Sequence, residues 1–134
     1  MIPLVARKLV ARCGLARPLL RRMTRRPIIL LYHGVMPRQG NRDEGDHKHV
    51  AESLFEEQLE FLSSLYEIVP LDHMIQSLLR GEDCCGKLVI TFDDGYLNNV
   101  ECAAPILARR GLAAAVFLAT GFIGQERWAW TDRL

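Results

Sequence analysis

Two adjacent carboxylates, Asp93 and Asp94, directly follow an apolar run and are themselves followed by Gly95. The run, Lys87 to Phe92, is rich in β-branched and aromatic residues, which predicts a parallel strand buried on both faces. Ligands of α/β proteins bind at the carboxyl ends of such strands, so we expect both carboxylates at the mouth of a site. Gly95 would let the backbone turn sharply there.

Neighbouring carboxylates repel each other, and a bound divalent metal ion can offset that repulsion. One aspartate would bind the ion, while the other would accept a proton from a water molecule whose pKa the ion has lowered. The alternative is that Asp93-Asp94-Gly95 is a solvated turn, which is common for such tripeptides. The apolar strand before it favours the site, because charges beside a buried strand are costly without partners.

The length and charge of the chain narrow the possible functions. Its 134 residues, 49% of them hydrophobic, are typical of one globular domain. The net charge of +1 conceals an uneven distribution, because residues 1–26 carry eight basic and no acidic side chains. Residues 27–134 therefore carry nine basic against sixteen acidic side chains, a net charge of −7. A domain this acidic is a poor candidate for binding nucleic acid.

The basic segment, residues 1–26, contains only short apolar stretches. None reaches the length of a signal-peptide core or the roughly 20 residues of a membrane span. We therefore expect a basic helical segment on a cytoplasmic protein, without a signal peptide or a transmembrane helix. The segment either contacts an anionic membrane surface peripherally or packs on the domain with a solvated face. An organelle-targeting peptide is a further alternative, although the segment contains no serine.

The cysteines do not form a metal or redox motif. The chain has four, Cys13, Cys84, Cys85 and Cys102, with no C-x-x-C pair among them. We expect reduced thiols, with Cys84 and Cys85 in a loop, in a reducing compartment.

The hydrophobic pattern along residues 27–134 alternates between strands and helices, which predicts an α/β fold with a parallel sheet. The predicted strands are Pro27–Tyr32, Tyr66–Pro70, Lys87–Phe92 and Ala113–Ala119. Three helices are predicted. The first starts at about Ser53, with a Ser53-x-x-Glu56 capping box; the second is Leu71–Leu79; and the third is Leu97–Arg110, with a break near Pro105. Residues 36–50 are predicted to be a long loop, in which His47 and His49 are more plausibly solvated than bound to a metal.

Several blocks of the chain together resemble the polysaccharide deacetylases, the NodB-homology group of carbohydrate esterases. Thr91-Phe92-Asp93-Asp94-Gly95-Tyr96 is similar to the first motif of that family. The order of the flanking blocks is also similar: Leu31 to Val35 resembles the opening strand, Phe55 to Leu62 the first helix, and Ala104 to Leu107 with Val116 to Leu118 the following helix and strand. The resemblance covers residues 27–134.

The resemblance implies an incomplete (β/α) barrel, with about four parallel strands and crossover helices, that forms the N-terminal part of a domain. It implies a hydrolase that removes N-acetyl, or less often O-acetyl, groups from a carbohydrate polymer. Asp93 would be the general base and Asp94 a ligand of a divalent metal, usually zinc. His33 would face the same mouth and contact substrate or the groups around the metal, with a buried core histidine as the alternative. Trp128 and Trp130 would stack on sugar rings or, more simply, pack on further structure.

The chain also departs from the family pattern. The second motif, two histidines four residues apart that complete the metal site, has no counterpart, because no histidine follows His73. The family's later arginine, aspartate-tryptophan and leucine-histidine motifs, the last of which supplies a general acid, are not found either. A catalytic zinc site normally needs three protein ligands, so we expect the 134-residue chain to be inactive alone.

Two alternatives remain. One is a non-catalytic carbohydrate-binding or remnant half-barrel. The other is a phosphatase of the haloacid-dehalogenase type, which the sequence disfavours because that group separates its two aspartates by one residue, whereas Asp93 and Asp94 are contiguous.

Overall fold

The computed structural model describes residues 26–37 and 48–124. The expectations for residues 1–25, His47, Trp128 and Trp130 lie outside the described residues, and the domain boundary at residue 26 stays a prediction. The described strands are β1 (Ile28–Tyr32), β2 (Gly34–Met36), β3 (His49–Ala51), β4 (Glu67–Ile68), β5 (Lys87–Phe92) and β6 (Ala115–Val116). The described helices are α1 (Glu52–Leu65), α2 (Leu71–Leu79), a π-helical turn (Asn99–Ala103), α3 (Ala104–Arg109) and a short 3-10 turn (Thr120–Phe122).

Strand β5 is the centre of the main sheet, and all of its pairings are parallel. Along one edge it pairs with β1, from Ile28 opposite Leu88 to Tyr32 opposite Phe92. Its other edge is shared, with β4 beside its first residues and β6 beside its last. All five residues after Lys87 are buried. The predicted interior strand and parallel sheet are therefore confirmed.

The helices lie on the two faces of this sheet in the order that the chain path requires. The chain runs from β1 past β5 to β4, which lies on the far edge of β5. It then runs back to β5, and from β5 it runs again to the far edge, which β6 shares with β4. Because parallel crossovers are almost always right-handed, reversing the direction moves the helix to the opposite face. Accordingly α1 and α3 pack with Leu88, Ile90 and Phe92, whereas α2 packs through Met74 on the face that presents Val89.

The face that carries α2 is only partly covered. In β1, the side chains of Ile29 and Leu31 are 61% and 49% exposed. At the opposite edge of the sheet, Val116 and Phe117 are also about half exposed; Val116 pairs with Phe92 and so lies on the face of α1 and α3. Apolar sheet residues at this level of exposure fit the expectation of an incomplete barrel.

Strands β2 and β3 correct the prediction that residues 36–50 are simply a loop. Gly34–Met36 and His49–Ala51 form a separate two-stranded parallel sheet, with Gly34 opposite His49 and Met36 opposite Ala51. Each strand is only three residues long. Such short strands lack a periodic pattern that sequence reasoning can detect, and the intervening residues obscure their pairing.

Helix α1 begins without the predicted capping box. Its N-cap is Ala51, the last residue of β3, and no side chain caps the helix. Ser53 therefore lies inside the first turn. Because Ala51 is paired with Met36, the strand pairing determines where the helix starts, which makes the serine cap unnecessary. Helix α2 matches its predicted bounds, and Gly81 follows it at φ +70°.

The segment after β5 differs from its prediction in two ways. Residues 99–103 form a π-helical turn, and the regular helix α3 begins at Ala104, so the predicted break near Pro105 lies one residue earlier. Gly111, at φ +63°, follows α3 as expected. The predicted strand Ala113–Ala119 is shorter: only Ala115 and Val116 are paired in β6. The residues after Val116 instead cover the loop that follows β5.

Of the described cysteines, Cys84 and Cys102 are buried free thiols, and Cys85 is exposed. Burial, with a smaller contribution from the carboxylate of Glu52, raises the pKa of the Cys102 thiol. Cys102 is therefore held in its protonated, less reactive form. No described helix has both the length and the apolar composition needed to cross a bilayer.

The fold predicts that replacing two different leucines by alanine has very different effects on the free energy of unfolding. Leu59 of α1 is fully buried against the sheet, whereas Leu79 of α2 is 83% exposed. We expect Leu59→Ala to lower the free energy of unfolding by about 2–5 kcal/mol, because it leaves a cavity in the core. The control Leu79→Ala should change it by less than about 0.5 kcal/mol. Urea denaturation followed by circular dichroism measures both, and equal effects would contradict the assigned core.

Tyr32 predicts how stability changes at alkaline pH. Burial raises the pKa of Tyr32 from 10.0 to about 12, and its hydroxyl donates a hydrogen bond to Gln58 Oε1 at 2.8 Å. Since the folded state holds the phenol proton more tightly, this stabilisation is complete below pH 10 and is lost as the pH rises towards 12. The loss is up to about 2–3 kcal/mol.

Tyr32→Phe cannot ionise, so its free energy of unfolding should fall less between pH 10 and pH 12 than that of the wild type. Urea titrations at pH 7, 10 and 12 test this. Parallel declines in the two proteins would show that Tyr32 does not contribute.

Candidate active site

The carboxyl end of β5 places Asp93 at the rim of the sheet. The backbone N–H of Asp93 donates to the carbonyl oxygen of Tyr32 at 2.9 Å, which continues the β1–β5 pairing by one residue. The ring of Tyr32 stacks on that of Phe92, with centroids 5.6 Å apart. The start of the Asp-Asp-Gly motif is therefore held by the core, as expected for a site at a strand end.

Asp94 and Gly95 turn the chain through two consecutive left-handed residues. Their φ angles are +67° and +72°, and Asp94 is the one non-glycine residue with positive φ in the described part of the chain. The left-handed conformation favours glycine at position 95, and a Cβ there would also require the side chain of Leu118 to move, because it would lie 2.5 Å from Leu118 Cδ2. Left-handed backbone at a non-glycine residue is costly and persists only where surrounding contacts impose it.

His33 and Asp94 are brought together at this rim. His33 lies in the bend directly after β1, and its Nε2 is 4.0 Å from Asp94 Oδ2. Their side chains are 38% and 50% exposed, so both reach solvent. The alternative of a core-buried histidine is therefore wrong. The structure places all three residues singled out from the sequence, His33, Asp93 and Asp94, at the ends of the adjacent strands β1 and β5.

The prediction that His49 is a solvated loop residue is wrong. This residue is part of β3 rather than a solvated loop, and it lies opposite Gly34 in the pairing. Its ring contacts that of Tyr96 edge to face, with centroids 4.9 Å apart. No sequence pattern connected His49 with the Asp-Asp-Gly motif, because the contact depends on the β2–β3 pairing.

The described residues supply only part of a metal site. An imidazole nitrogen and a carboxylate oxygen are suitable zinc ligands, and His33 and Asp94 offer one of each. However, residues 26–37 and 48–124 contain no group of three histidine, cysteine, aspartate or glutamate side chains arranged to hold a metal ion. The donor chemistry therefore fits a metal, but a complete catalytic ligand set is not present in this part of the chain.

Comparison with known proteins finds similarity to one family. A family model described as polysaccharide deacetylase matches residues 80–133. The chain is 28% identical over 103 residues to YxkH from Bacillus subtilis (strain 168), a protein described as a polysaccharide deacetylase. That match covers 73% of this chain and 33% of YxkH, so the chain spans about a third of the length of this relative.

Solved structures show the same fold. IcaB from Ammonifex degensii matches with a TM-score of 0.63 at 24% identity, over 76% of this chain and 41% of that one. The Streptococcus pyogenes deacetylase PplD, solved with acetate, matches with a TM-score of 0.61 at 22% identity, over 78% of this chain and 48% of that one. The fold is therefore α/β, a partial barrel of the deacetylase type. Over the part of its length that these proteins match, the chain is similar to the polysaccharide deacetylases in both sequence and fold.

Proposed function

We propose that this chain carries the base and one metal ligand of a hydrolase that removes acetyl groups from a carbohydrate polymer. The observation that supports this most directly is the placement of Asp93, Asp94 and His33 at the ends of two paired strands, with His33 and Asp94 4.0 Å apart. The similarity of part of the chain to polysaccharide deacetylases supports the same reaction class.

Asp93 is the general base in this proposal. Hydrolysis of an acetamide needs a water molecule to lose a proton as its oxygen attacks the acetyl carbonyl, and a carboxylate within hydrogen-bond reach can accept that proton. The backbone bond to Tyr32 holds Asp93 in register with the strand end, which limits how far the base can move.

His33 contacts the substrate in this proposal. His33 is half exposed at the same rim as Asp94, so a sugar bound there can approach it. The general acid of the reaction is expected from the family's leucine-histidine motif, which the 134-residue chain lacks.

Asp94 is one ligand of a divalent metal, with zinc as the expected ion. When bound, the metal would polarise the acetyl carbonyl and lower the pKa of water. Asp94 alone binds zinc weakly, so the remaining ligands must come from outside the described residues. Polymeric N-acetylated sugar is the expected substrate class, with O-acetylated sugar second.

A non-catalytic half-barrel that only binds carbohydrate is the second candidate. The observation that favours it is the lack of a three-ligand metal group among residues 26–37 and 48–124. Metal content separates the two candidates, because a binding module has no need of a bound ion.

The first prediction from this proposal concerns metal content. The protein in its longest natural form, purified without chelator, should contain zinc, and Asp94→Ala should lose it because a ligand is removed. Elemental analysis by mass spectrometry measures both. Asp83→Ala, which removes an exposed aspartate from the loop before β5, is the matched control and should retain the metal. Zinc retained in Asp94→Ala would exclude Asp94 as a ligand, and a metal-free wild type would favour the binding module.

The second prediction concerns acetate release from N-acetylglucosamine oligomers by the protein in its longest natural form. Asp93→Asn keeps the size of the side chain but cannot accept a proton, so the rate should fall about 10²–10⁴-fold. Asp83→Asn should leave the rate unchanged. An Asp93→Asn protein as active as the wild type would show that Asp93 is not the base.

A further inference from the structure

His49 lies where the strand end that carries His33 approaches the loop that carries Asp94. It is opposite Gly34 in the β2–β3 pairing, and Gly34 directly follows His33. The imidazole fills the space that a side chain at residue 34 would need, since an ideal Cβ on Gly34 would lie 2.8 Å from His49 Nε2. Glycine at this position therefore makes room for the His49 ring.

The His49 ring also contacts Tyr96, two residues after Asp94. The ring of Tyr96 meets it edge to face, at an interplanar angle of 77°. Asn98 Oδ1 lies 2.5 Å from the same ideal Cβ position on Gly34, so its amide shares this space with the imidazole. His49 is thus packed between the backbone after His33 and the side chains of the Asp94 loop.

His33 and Asp94 need such a support. His33 Nε2 and Asp94 Oδ2 are 4.0 Å apart, which is too long for a hydrogen bond, and the two side chains are 38% and 50% exposed. Each residue also sits in a turn rather than in a paired strand. A direct contact between them therefore does not fix their separation, whereas a packed ring between their loops can.

We propose that His49 is a positioning residue, whose imidazole, seated on Gly34 and against Tyr96, sets the separation of His33 and Asp94. This inference rests on the proposed function in one respect only: the proposed function explains why the separation of His33 and Asp94 would matter for catalysis. The shape of the ring, rather than its charge, performs this role. Phenylalanine at position 49 should therefore replace histidine, whereas alanine should not.

The test measures how strongly Asp94 influences His33 in the 134-residue chain. The chain has four histidines, so ¹³C-histidine labelling gives a simple imidazole spectrum in which His33→Gln identifies the His33 signal. Asp94→Asn should shift the His33 signal in the wild-type background. The same substitution should shift it equally in the His49→Phe background, but the shift should be largely lost in His49→Ala and in Gly34→Ala, which displaces the ring.

Two controls separate positioning from general destabilisation. His73→Ala removes an exposed histidine of α2 and should leave the Asp94→Asn shift unchanged. Thermal melting of every variant shows which ones are merely less stable, because lower stability alone would not change the His33 signal of the folded protein. If His49→Ala does not fold, His49→Val provides a smaller side chain that is still suited to a strand.

The proposal is overturned if the Asp94→Asn shift persists undiminished in His49→Ala or His49→Val, or if it is lost in His49→Phe. A wild-type protein in which Asp94→Asn leaves the His33 signal unmoved would also overturn it, because there would be no pair to position. These spectra need neither metal nor substrate. A negative result therefore leaves the deacetylase proposal standing, and failure of the zinc or acetate experiments leaves the positioning result valid.

Discussion

The parallel pairing of β5 along both of its edges is the constraint on which the described structure depends. One edge takes the whole of β1, and the other takes β4 at its start and β6 at its end. Because its parallel connections place helices on both faces, the strand is apolar on both, and Leu88 to Phe92 are all buried. The path of the chain around β5 then assigns α1 and α3 to one face and α2 to the other.

The candidate active site follows from where this pairing stops. Asp93 is still tied to Tyr32 of β1, but Asp94 and Gly95 leave the ladder in left-handed conformations. Leu118, after β6, closes against Gly95. The contacts of the surrounding core thus maintain the unfavourable backbone conformation of Asp94. The carboxylate of Asp94 lies at the rim of the sheet, near His33.

The sequence predicted correctly those helices and strands whose formation depends mainly on residues close to one another along the chain. The apolar run of β5 and the pattern of α2 were sufficient for their bounds. The start of α1 was less predictable, because the pairing of Ala51 with Met36 replaces the expected serine cap. The length of β6 was overestimated, because an apolar run does not reveal that its second half covers a loop rather than extending the ladder.

The sequence by itself determined the chemistry of the rim: contiguous carboxylates after a buried strand, and a histidine after another. These properties are local, since residue type and apolar run are read along the chain. Only the tertiary structure decided that His33 and Asp94 are neighbours, and that His49 packs between their loops on Gly34. The physical reason is that these contacts join residues far apart in sequence through strand pairings, and the three-residue strands β2 and β3 leave almost no periodic trace.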